Sequence, residues 1–125
     1  MSASGAGRPS AVPFVRPLPA TDAYARLLSP PESVGLCSGL VTLAPGVECG
    51  EHTTGAHEEL IICLSGEGEI QAEGLGRARL AAGHMAYNPP DTRHNVRNTG
   101  AVALRYVFVV APQGSPSSVQ ADESH

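Results

Sequence analysis

Gly46-Val-Glu-Cys-Gly-Glu-His52-Thr-Thr-Gly-Ala-His57-Glu-Glu59-Leu-Ile-Ile-Cys63-Leu-Ser-Gly66 is the stretch that decides the fold. Its second half, Glu58–Leu64, is rich in β-forming side chains, and Ser65-Gly66 ends it with turn chemistry. Glu67–Ala72 then runs back, so the pair reads as a hairpin. Successive side chains of a strand point to opposite faces. With Glu59 inside, His57, Ile61 and Cys63 share its face, while Leu60, Ile62 and Leu64 point out. Three outward aliphatics on one strand require cover. A proline-rich arm or a second copy of the chain would supply it, so a homodimer is expected.

Outward from this hairpin the chain continues as short strands. Leu36–Leu43 ends at Ala44-Pro45-Gly46. Arg77–Leu80 and His84–Asn88 flank Ala81-Ala82-Gly83; Pro89-Pro90-Asp91 turns the chain, and Val102–Val110 is the last and most apolar run. Prolines at 13, 17, 19, 30 and 31 allow edge strands around Phe14 and Tyr24–Leu28 but no long helix. Short strands punctuated by turns predict an all-β sandwich or barrel. The expected organisation is a disordered segment over 1–11, a single domain over 12–112 with its N-terminal arm, and a flexible tail over 113–125.

Composition narrows the chemistry. The 125 residues include eight basic side chains, all arginine, so lysine Schiff-base and pyridoxal-phosphate chemistry are excluded. Net charge is −4, and no basic run interleaves with aromatics, so no nucleic-acid partner is expected. Only five residues are aromatic, so Val, Leu, Ile and Ala must fill the core. The three cysteines, Cys37, Cys49 and Cys63, form no CxxC pair and no disulfide framework, which fits a reducing compartment. No signal peptide or membrane-length apolar stretch is visible. The expectation is a cytoplasmic protein without a membrane partner.

Two spacings carry the site. Gly46 is followed after five residues by His52, and Glu59 after six by Gly66. Downstream, Gly83, Pro89, His94 and Asn98 stand at fixed intervals. These spacings resemble the two motifs of the cupin superfamily, Gly-x5-His-x-His-x(3–4)-Glu-x6-Gly and Gly-x5-Pro-x-Gly-x2-His-x3-Asn. The resemblance covers residues 46–98 and implies an antiparallel double-stranded β-helix, the jelly-roll barrel, in a small single-domain form. Two positions depart from it. Thr54 stands where the second histidine of the first motif would fall, and Asp91 replaces the glycine of the second. Asp tolerates turn conformations well, so the second departure alters only a turn.

The resemblance implies one divalent transition-metal ion, which imidazole and carboxylate would bind as Fe, Mn, Zn, Ni or Cu. The ligand set is either His52, Glu59 and His94, or these with His57 as a fourth. Glu59 and His57 are also the candidates for proton transfer. Either set leaves coordination positions for a small-molecule substrate. The expected activity is isomerase, cyclase or lyase chemistry on a small polar or carbonyl-bearing organic molecule. A non-haem dioxygenase and a non-catalytic ligand sensor are the alternatives. Around these residues, Cys63 reads as a core thiol, Tyr87 and Tyr106 as packing or pocket residues, and Asn98 as a turn holder. Arg93 and Arg97 read as substrate-carboxylate binders or as a solvated strand edge.

Overall fold

The structure, a computed structural model, describes residues 11–112. Nine strands and no helix occur among them: β1 Ala25–Leu28, β2 Cys37–Leu43, β3 His52–Thr53, β4 His57–Ser65, β5 Glu67–Ala72, β6 Gly76–Ala81, β7 Met85–Asn88, β8 Arg93–Arg97 and β9 Leu104–Pro112. They form two antiparallel sheets, in the orders β1-β2-β9-β4-β7 and β3-β8-β5-β6. This is the expected all-β jelly-roll barrel. The expected loose ends, 1–11 and 113–125, lie outside the described residues except for Ala11.

Alternation along β4 follows the sequence reading. Glu59, Ile61 and Cys63 are buried, Leu60 is half-buried, and Ile62 and Leu64 are exposed. The buried end of the barrel is aliphatic: Leu43, Ile61, Cys63, Ile70, Leu80, Val96 and Leu104 pack around Tyr106. One strand therefore runs from a polar end at Glu59 to an apolar end at Cys63. At about 25 cal/mol per Å² of apolar surface removed from water, burial of this aliphatic plug stabilises the fold.

Turns close where the sequence has glycine. Gly66, between β4 and β5, has φ +87°, and a Cβ there would lie 2.3 Å from the Ala103 carbonyl oxygen. Only glycine meets both demands. Asp91 takes φ +56°, which explains why the cupin motif carries glycine at this point.

Three expectations need correction. Phe14 lies in no strand, because Pro13, Pro17 and Pro19 remove the amides a ladder needs. This arm instead lies along the outer face, where the Arg105 guanidinium donates to the Pro19 carbonyl at 3.1 Å. It lines a groove with Leu27, Leu28, Leu36 and Val109, and leaves Ile62, Leu64, Met85 and Tyr87 exposed. The other two concern β3 and β8, whose bounds the sequence reading does not give. β8 is Arg-His-Asn-Val-Arg, whose only aliphatic is Val96, so it has no apolar pattern to reveal it.

Candidate metal centre

β3 and β8 pair antiparallel with His52 directly opposite His94. Neighbouring residues across a sheet are held about 5 Å apart, which places the two rings side by side. Their centroids are 4.2 Å apart in an edge-on arrangement. Glu59 enters from β4, in the other sheet. One ligand atom from each of His52, Glu59 and His94 lies within 4.8 Å of the others.

The imidazoles are oriented alike. His52 Nδ1 is 2.8 Å from the Gly50 carbonyl oxygen, and His94 Nδ1 is 3.0 Å from that of Thr92. A carbonyl only accepts, so each Nδ1 carries the proton and each neutral ring keeps its Nε2 lone pair. This outer hydrogen bond is the one metal-binding histidines make.

His94 Nε2 is buried 3.0 Å from Glu59 Oε1, yet it makes no directed hydrogen bond. A buried lone pair facing a carboxylate oxygen is repulsive unless a cation lies with them. Two atoms bound at right angles to one ion at about 2.1 Å stand about 3 Å apart, so the spacing fits a shared ion. Without metal, a proton on His94 serves instead. The adjacent Glu59 carboxylate raises the His94 pKa against the opposing effect of burial. Burial pushes Glu59 up, but His94 and the Asn88 amide outweigh it, and its carboxyl titrates below the ordinary value.

Asn88 donates from Nδ2 to Glu59 Oε1 at 3.0 Å and is itself buried. The sequence reading did not single it out. Its signal was positional: in β7 it stands directly across from Glu59. Cys49 was also passed over, and it lines the same cavity.

That cavity, of about 330 Å³, opens beside the three residues. Val41, Ile61, Val96, Tyr106, Phe108 and Val110 form its apolar walls. Burial pushes the Tyr106 phenol far above its usual pKa, so it stays protonated. His57 is exposed and lines the cavity, but it is not part of the three-residue group. Thr54 also lines the cavity, with its hydroxyl bonded to the Pro89 carbonyl.

Other candidate residues fall elsewhere. Arg93 and Arg97 are exposed on the face of β8 opposite His94, because adjacent strand residues alternate; neither lines the cavity. Tyr87 points outward and donates to Glu58 at 2.8 Å. Cys63 is a core thiol whose pKa burial raises. Asn98 is fully buried and donates to the Leu43 and Val102 carbonyls, so it holds a turn.

The sequence profile of the cupin domain matches residues 39–110, more than half of the chain. The chain belongs to the cupin family. This cupin is 33% identical over 90 residues to Protein SchB of Streptomyces halstedii, covering 70% of this chain and 64% of that protein. It is 34% identical over 90 residues to Polyketide synthase CurC of Streptomyces cyaneus, covering 70% and 58%. The matched part thus spans about three-fifths of these relatives' length. A solved structure from Thermotoga maritima, described as a predicted oxalate decarboxylase, superposes with TM-score 0.67 at 25% identity, covering 72% of this chain and 79% of that one. No helix of the described residues is long and apolar enough to cross a membrane.

Proposed function

We propose that this cupin is a metal-dependent enzyme acting on a small, uncharged carbonyl-bearing molecule by isomerase, cyclase or lyase chemistry. The observation that carries the reading is the buried, unpartnered His94 Nε2 facing Glu59 Oε1 at 3.0 Å. His52, Glu59 and His94 would hold one divalent ion, with Fe, Mn, Zn, Ni and Cu all compatible with the donors. The ion would supply Lewis acidity to a substrate oxygen. Apolar walls would orient the rest of the molecule and exclude water. His57, at the exposed side of the cavity, would move a proton between the carbon beside the carbonyl and solvent. Glu59 is less free for that task, since the Asn88 amide already engages it and it is buried.

The lining supports an uncharged substrate. No arginine lines the cavity, and the chain contains no lysine, so a small dicarboxylate would find no fixed cationic side chain. The name of CurC points the same way, because polyketides are chains of carbonyl groups. The apolar outer residues Ile62, Leu64, Met85 and Tyr87 support a homodimer, which sedimentation at micromolar concentration tests. The three free cysteines support a cytoplasmic setting.

Elemental analysis after anaerobic, metal-supplemented expression tests the centre. About one ion per chain is expected, lost in His52→Ala and His94→Ala and retained in His57→Ala. Metal-free wild-type protein under those conditions would sink the reading. Retained metal with lost substrate proton exchange in His57→Ala would support the proton-carrier role.

A further inference from the structure

Thr54 occupies the place where the cupin motif carries its second histidine, and its hydroxyl makes two hydrogen bonds. It donates to the Pro89 carbonyl at 2.6 Å and accepts from the Thr92 amide at 3.0 Å. The Thr54 amide donates in turn to the Thr92 carbonyl at 3.2 Å. That same carbonyl receives the Nδ1 proton of His94 at 3.0 Å. A further bond, from the Asp91 amide to the Gly55 carbonyl at 2.8 Å, closes the set. The loop between β3 and β4 is thus laced to the turn before β8, and the lacing converges on the peptide that orients His94.

We propose that Thr54 is a positioning residue: its hydroxyl locks residues 89–92 so that the Thr92 carbonyl holds the His94 ring with Nε2 toward Glu59. The inference rests on the metal reading of the site and goes beyond it. The hydroxyl gives its proton to Pro89 and accepts from Thr92, so both bonds direct it at the turn and not at the three-residue group. The site therefore keeps three protein ligands, and Thr54 contributes by fixing one of them. Groups that orient a metal-binding histidine directly affect metal affinity about 10- to 100-fold, and here that group is the Thr92 carbonyl, which Thr54 holds in place. His94 sits on a strand that follows a double-proline turn containing a left-handed residue, Asp91 at φ +56°. Such a turn has several ways to relax, and the Thr54 hydroxyl bonds both its start, at Pro89, and its end, at Thr92.

The test compares Thr54→Val, which keeps shape and loses the hydroxyl, with Thr54→Ser, which keeps the hydroxyl. Two measurements use metal-free protein: hydrogen exchange of the Thr92 amide, and the NMR signal of the His94 Nδ1 proton. A third is titration with Co(II). In Thr54→Val the Thr92 amide is expected to exchange at least tenfold faster and the Nδ1 proton signal to broaden or vanish. Co(II) affinity is expected to fall about 10- to 100-fold. Thr54→Ser is expected to restore all three. Unchanged Thr92 protection and an unchanged Nδ1 signal in Thr54→Val would overturn the proposal, as would Co(II) affinity within twofold of wild type. If wild-type protein binds no Co(II), the metal reading fails separately, and the two metal-free measurements still decide the role of Thr54.

Discussion

Replacing Asn88 by leucine removes one amide and little volume, so it isolates the polar interaction with Glu59. Asn88 Nδ2 donates to Glu59 Oε1 at 3.0 Å, and both side chains are buried. A hydrogen bond to a charged group contributes about 1.5–3 kcal/mol, and its loss leaves a carboxylate oxygen short of a partner. The same loss raises the Glu59 pKa in the folded protein, at about 1.4 kcal/mol per unit. These are two views of one effect, so the expected destabilisation of metal-free protein at pH 7 is about 2 kcal/mol. With a urea slope of about 1–1.5 kcal/mol/M, the midpoint falls by about 1–2 M. The sign of its pH dependence follows from Glu59. Its folded pKa is depressed, so its stabilisation is present above the ordinary value of 4.5 and disappears as pH falls through the depressed value. The gap between variant and wild type must therefore close in acid. A variant within about 0.5 kcal/mol of wild type at pH 7, or a gap that persists unchanged in acid, would refute the reasoning.

Three other substitutions or conditions test other parts of the fold. In metal-free protein the Glu59–His94 pair stabilises most between the ordinary values of 4.5 and 6.5. The raised His94 pKa makes its share fade as pH rises through that value, and Glu59's share fades on the acid side. Melting temperature against pH is expected to lose this maximum in His94→Gln. Gly66→Ala should cost at least about 2 kcal/mol in urea unfolding, because it combines a left-handed backbone with a clash against backbone. Asp91→Gly should stabilise by about 0.5 kcal/mol, the relief of left-handed strain less the added freedom of the unfolded chain. Thermal denaturation read by circular dichroism would show it.

The legible parts of this fold are those where one face is apolar. β4 and β9 announce themselves through alternating or continuous aliphatics, β5 follows as the return strand after Gly66, and the Pro89-Pro90 pair marks the turn after β7. β3 and β8 do not, because their inward positions carry His52 and His94 in place of aliphatics. The strands that carry the two histidines of the candidate centre are thus the hardest to read as strands, and motif spacing finds them, whereas Glu59 lies on the legible β4. Asn88 stayed hidden for a different reason. Its meaning depends on standing across from Glu59, a register set by the packing of β4 on β7. Thr54 shows the same limit: a missing imidazole is visible in sequence, but the hydrogen bonds that occupy its place are not.

His52 and His94 belong to one sheet and Glu59 to the other. An ion held by all three would act as a rivet through the open end of the sandwich, where no aliphatic plug binds the layers. β3 is two residues long and lies at the sheet edge, so it is the element with the least to hold it. Loading the centre would therefore slow the parting of the two layers at the mouth far more than motion at the Cys63 end, and the width of the entrance would be fixed by ligand bonds as much as by the barrel itself.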